Sequence, residues 1–160
     1  SGLDIRLLAT PGHTPGSTSY LVDNRWLVSG DTLFVNGVGR PDLGGHVESW
    51  ARALFRTLHG PVAQLPDDTV VLRGHFGSVA EVGADGSVQT RLGELRRRSP
   101  ELRLESAEDF VAAMRTAVQP APAIYQKIIA ANLSDEPVPP DQASEWELGK
   151  NQCAASARAG

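Results

Sequence analysis

The chain has 160 residues, 41% of them hydrophobic and 21% charged, a balance that suits a soluble globular chain with one sizeable core. A net charge of -4 gives no electrostatic reason to expect nucleic acid or an anionic membrane as partner, and no apolar run approaches the roughly 20 residues of a membrane span. The single cysteine, Cys153, excludes an internal disulfide and any multi-cysteine metal site, and with no signal-peptide pattern at Ser1-Gly2-Leu3-Asp4 the expected location is cytoplasmic.

Leu3 to Ala9 alternates as a half-buried strand does and runs into a loop dense in turn residues, Thr10-Pro11-Gly12-His13-Thr14-Pro15-Gly16-Ser17. Two β-like runs, Thr18 to Val22 and Arg25 to Ser29, joined by Asp23-Asn24, read as a hairpin. Gly30-Asp31 ends the second run and leaves Asp31 at a strand terminus. Residues 32 to 46 read as a long loop. A helix then carries Val47, Trp50, Ala51, Leu54, Phe55 and Leu58 on one face. Thr69 to Leu72 is a short buried-type strand that delivers Gly74-His75-Phe76-Gly77. Arg91 to Arg98 reads as a short basic helix, and Ser106-Ala107-Glu108-Asp109 as a capping box that opens a helix to about Val118. A further helix is expected over Ala123 to Leu133, followed by a polar, Pro-punctuated tail. The expected division is a domain over residues 1–133 and a tail over 134–160. The order of elements predicts mixed α/β layers.

Three polar residues follow strands directly: His13, Asp31 and His75. Binding residues gather on such loops, held by the scaffold behind them, and imidazole and carboxylate suit zinc, iron or manganese. The intervals of 18 and 44 residues between them match no local metal motif, so spacing alone decides nothing. Trp50, Leu54 and Phe55 read as core, Arg96-Arg97-Arg98 as a solvated helix end, and His46 and His59 as surface residues flanking the helix. Cys153 has no neighbouring base or cation cluster to activate it.

Local context adds to this. The run Thr10-Pro11-Gly12-His13-Thr14-Pro15-Gly16 resembles a segment of the metallo-β-lactamase superfamily in which the histidine is a metal ligand. Gly30-Asp31-Thr32-Leu33-Phe34 resembles the segment whose aspartate binds metal and bridges two ions in dinuclear members. Gly74-His75 resembles the position that serves the second metal. Within the superfamily, Gly37-Val38-Gly39-Arg40-Pro41-Asp42 resembles the persulfide dioxygenases and their rhodanese-linked bacterial relatives, and the glyoxalase II enzymes share its start. That likeness implies that Arg40 holds the glutathione part of a substrate, a role for which a planar guanidinium is apt.

The superfamily's His-x-His-x-Asp-His segment has no counterpart in this sequence. The resemblance therefore implies the C-terminal half of an αββα sandwich, with part of a metal site at His13, Asp31 and His75. It implies Fe(II) with glutathione persulfide as substrate, oxidised to sulfite, and His75 outside the ligand set. The alternatives are two zinc ions in a thioester hydrolase of glyoxalase II type, with His75 a ligand, and a non-catalytic fragment. The implied partners are a small-molecule thiol and either a separate N-terminal half or further copies of the chain. A lone half with an exposed face is expected to associate.

Overall fold

A computed structural model describes residues 2–75, 81–118 and 124–147. Phe76, Gly77 and Cys153, named above, lie outside them. The described residues fall into two compact units, one ending at Val118 and the other beginning at Ile124.

The first unit is built on a five-stranded sheet in the order β1-β2-β3-β6-β7. β1 (Ile5–Ala9), β2 (Thr18–Val22) and β3 (Trp26–Gly30) form an antiparallel meander. Asp23 and Asn24 turn the β2–β3 hairpin with φ of 49° and 50°. Two successive positive φ values define the tight turn whose twist matches that of paired strands, and Asp and Asn tolerate them. β6 (Val70–Arg73) lies parallel to β3, and β7 (Gln89–Arg91) closes the far edge antiparallel to β6. The parallel pair is joined through α1 (Val47–His59).

Side chains alternate across the sheet, and the two faces have different fates. Leu21, Leu27 and Val71 point into a single core with Ala51, Leu54 and Leu58 of α1, Leu92 and Leu95 of α2 (Leu92–Arg98), and Phe110, Val111 and Met114 of α3 (Ala107–Thr116). The opposite face carries a row Leu7, Tyr20, Val28 and Leu72, set side by side by the register. Leu7, Tyr20 and Val28 are exposed. This is a mixed α/β unit, a sheet with helices on one face, as the element order predicts.

Ser106 caps α3 by accepting the Asp109 N–H at 3.3 Å, half of the expected capping box. Within the first unit, two features depart from the sequence expectation. The long loop over residues 32–46 contains a small hairpin, β4 (Leu33–Phe34) with β5 (Gly37–Val38), all four residues buried. β7 was not foreseen, because three residues, Gln-Thr-Arg, offer neither length nor apolar alternation. The second unit holds α4 (Tyr125–Asn132) and α5 (Pro140–Glu147). α5 lies in the stretch expected as a tail. It starts at Pro140, a residue suited to the first helical position because the missing N–H has no intrahelical partner there. No helix among the described residues is long and apolar enough to cross a membrane.

Candidate metal centre

His13 sits in the β1–β2 loop, which is fastened at several points. Thr10 N–H donates to Ser17 O at 2.9 Å, and Thr57 of α1 donates its hydroxyl to Pro11 O at 2.7 Å. Gly12 lies against α1 with φ +146°, and a Cβ there would stand 2.4 Å from Leu54 Cβ. Only glycine permits that approach. The loop therefore rests on the C-terminal half of the core helix, and His13 is buried.

Asp31 is aimed by a bulge. Pairing with β6 runs from Val28↔Leu72 to Gly30↔Arg73, so Ser29 is an extra residue in β3. A bulge re-aims the side chain that follows it. Here it turns through Gly30 at φ +53°, and the Ser29 hydroxyl bridges to Leu33 O and Leu72 O at 3.3 Å. Thr32 then donates to Thr10 Oγ1 at 3.3 Å, and a 2.9 Å hydrogen bond joins the Thr10 and Ser19 hydroxyls. The Asp31 and His13 loops are thus joined by buried hydroxyls.

His75 follows β6. Gly74 N–H donates to Gly30 O at 2.9 Å, which continues the parallel pairing one step beyond the strands. A Cβ on Gly74 would meet Asp31 Oδ1 at 2.9 Å, so the glycine leaves space for the carboxylate. His75 Nδ1 lies 2.9 Å from Asp31 Oδ1 and 2.7 Å from Oδ2. A carboxylate can only accept, so Nδ1 carries the proton. That hydrogen bond to Asp31, opposed in part by burial, pushes the His75 pKa above its ordinary value.

His13 has the opposite surroundings. Burial pushes its pKa below the ordinary value, and the Asp31 charge offsets this only in part. Its Nδ1 is 3.0 Å from the Arg40 carbonyl and must donate to it. In neutral His13 this leaves Nε2 a bare lone pair, and Nε2 is the atom that faces Asp31 Oδ2, at 3.6 Å. A lone pair and a carboxylate oxygen face one another with no proton between them, an arrangement a cation would satisfy. The second ring nitrogen tied to a main-chain carbonyl is also the usual support of a metal-binding imidazole.

Among the described residues, no group of three or more His, Cys, Asp or Glu side chains is placed to hold a metal ion, whereas catalytic zinc sites use three protein ligands. His46 and His59 do not join the site: His46 packs near Trp50, and His59 stacks on Phe55 and bonds to its carbonyl. Arg40 is 2% exposed. Its Nε donates to Asp42 Oδ1 at 2.7 Å and its Nη2 to Asp42 Oδ2. The guanidinium expected at a substrate is thus turned onto a neighbouring carboxylate.

Reading the sequence residue by residue missed the supporting set: Gly39, Gly74, Thr10, Thr32 and Thr57. A Cβ on Gly39 would stand 2.0 Å from Asp31 O and 2.9 Å from His13 Cβ, so residue 39 is packed directly against both. The two glycines flanking Val38 were the available signal.

Residues 1–75 match the Metallo-beta-lactamase superfamily. The chain is 47% identical over 73 residues to the probable metallo-hydrolase YqgX of Bacillus subtilis, covering 44% of this chain and 33% of that protein. It is 29% identical over 126 residues to the human mitochondrial persulfide dioxygenase ETHE1, covering 78% of this chain and 45% of the relative. The crystal structure of ETHE1 from Myxococcus xanthus superposes with a TM-score of 0.67 at 33% identity, covering 82% of this chain and 54% of that one. The chain spans a third to about half of the length of these relatives. The strand-end histidines and aspartate all lie in the segment, residues 1–75, that matches the metallo-β-lactamase superfamily.

Proposed function

We propose that this chain supplies part of a mononuclear metal centre, through His13 and Asp31, in an enzyme that oxidises a small thiol-linked persulfide such as glutathione persulfide. The observation that carries the reading is the pair His13 Nε2 and Asp31 Oδ2, facing at 3.6 Å with the proton held on the far side of the His13 ring. The remaining ligands come from outside the described residues.

His75 favours one metal over two. Its Nδ1 is engaged on Asp31, which suits an outer partner that orients the carboxylate. In a two-zinc thioester hydrolase, the alternative favoured by the likeness to a probable metallo-hydrolase, His75 would instead have to bind an ion. Likeness to ETHE1 at 29% and 33% identity supports iron and a persulfide. A bound Fe(II) would offer open coordination positions to sulfur and oxygen. The chain's own part is to hold the His13 lone pair and the Asp31 oxygen in place, and to keep His13 neutral through burial. A cytoplasmic setting accords with a thiol substrate kept reduced.

The test is anaerobic Fe(II) and Zn(II) titration of the full chain by calorimetry, with metal content measured after desalting. Loss of binding in His13→Ala and Asp31→Ala, with binding retained in His75→Ala, is the expected result. Equal binding by the wild type and all three variants overturns the assignment. A stoichiometry of two zinc ions, abolished by His75→Ala, transfers it to the hydrolase.

A further inference from the structure

Arg40 and Asp42 form a closed fork: Nε and Nη2 of one guanidinium on the two oxygens of one carboxylate. Both side chains are buried, and two-point pairing of this kind fixes geometry as well as adding energy. Only Pro41 separates the partners, and its ring fixes φ. Fork and ring together leave the backbone at residue 40 little freedom. The Arg40 carbonyl is the group that accepts from His13 Nδ1, at 3.0 Å. The preceding residue, Gly39, donates its N–H to Thr32 O at 3.1 Å and touches both Asp31 and His13. The stretch 39–42 thus runs from the metal-facing pair to a buried ion pair with no slack between them.

This deepens the metal-centre reading and rests on it: we propose that Arg40 is a positioning residue. Its side chain, locked on Asp42, sets its own main-chain carbonyl against His13 and so determines which His13 nitrogen is turned, bare, toward Asp31. Arg40 acts through its backbone, and its guanidinium does not touch the substrate. An Arg-to-Lys change keeps the charge but loses the fork, and Asp42→Asn keeps the shape but loses the ion pair.

The experiment is long-range ¹H–¹⁵N NMR of the full, metal-free chain at about pH 8, above the ordinary imidazole range. It reads which nitrogen of the His13 ring carries the proton. The wild type is expected in the Nδ1–H form, and a wild type in the Nε2–H form overturns the proposal without any variant. In Arg40→Lys and Asp42→Asn the Nε2–H form is expected to become populated, with the amide spectrum reporting that the chain is folded. Where the wild type binds Fe(II) or Zn(II), both variants are expected to bind about 10- to 100-fold more weakly with no substrate present. An unchanged tautomer and unchanged metal affinity in both variants overturn the proposal. If Arg40→Lys alone then weakens binding of a glutathione probe, Arg40 is a substrate residue. Failure of the wild type to bind metal would count against the metal-centre reading and leave the tautomer result to decide this one.

Discussion

His13 Nε2 and Asp31 Oδ2 face each other at 3.6 Å, beyond hydrogen-bond length, although both atoms are acceptors in the neutral-His13 state. The site holds this mismatch in place with buried hydroxyls, a β-bulge and a fastened loop. It is organised for something other than its own stability.

Asp31→Asn should therefore stabilise the metal-free chain while removing metal binding. The new amide can donate to His13 Nε2, and its oxygen can still accept from His75 Nδ1. One added hydrogen bond contributes about 1 kcal/mol, a rise in Tm of about 2–4 °C at this size. Thermal melts and metal titrations of the same preparation check this, and a lower Tm would show that the loss of the charge-assisted His75–Asp31 bond outweighs relief of the mismatch. Stability gained at the expense of function is the common pattern at such sites.

Gly39→Ala tests how tightly residue 39 is packed. The added methyl would lie 2.0 Å from Asp31 O, a main-chain atom that cannot swing aside. Metal binding should be lost, and Tm should fall by an amount corresponding to about 1–3 kcal/mol of overpacking. Circular dichroism with a metal titration separates this outcome from a harmless substitution.

An acid-side effect is expected away from the site. Arg52 of α1 donates to Glu108 of α3 at 3.2 Å, and this hydrogen bond holds the Glu108 pKa below its ordinary value. A depressed carboxyl pKa contributes stability that is present above the unfolded value and is lost as pH falls through the folded one. The pair is exposed, so the effect is small and weakened by salt. The Tm difference between wild type and Glu108→Gln should be measurable at neutral pH and low salt, and should vanish in acid. A difference that grows in acid would contradict the ion pair.

The open sheet face leads to a prediction about association. Leu7 is 66% exposed and Ile5 50%, beside Tyr20 and Val28, and contiguous apolar patches of this kind promote association. Sedimentation of the wild type should depend on protein concentration, less so in Leu7→Lys, with no loss of Tm because Leu7 makes no core contact. An ideal monomer at all concentrations would count against the face as a contact surface.

Much of this was legible in the sequence. Asp23-Asn24 announced its turn by residue type, and the placement of His13, Asp31 and His75 after strands followed from local punctuation. What remained hidden depended on geometry that periodicity does not carry. Leu7 and Leu8, Tyr20 and Leu21, Val28 and Leu27 are apolar on both faces, so alternation cannot say which face the helices cover. Asp42 stood inside the motif that singled out Arg40, yet only the folded turn brings the two side chains together. Glycine contacts such as Gly39 with Asp31 arise from chain segments that meet only in the tertiary fold.

The parallel pairing of β3 with β6 has a kinetic consequence. Asp31 and His75 are separated by 44 residues, and closing a loop of that length costs about 3 kcal/mol of chain entropy, which only the docking of α1 and the strand pairing can offset. The β2–β3 hairpin needs no such closure and can form locally within microseconds. A molecule in which His75 Nδ1 rests on Asp31 has therefore already completed its long-range crossover. Protection of the Gly74 amide, which donates to Gly30 O at 2.9 Å, would report that closure, next to the atoms that prepare the site.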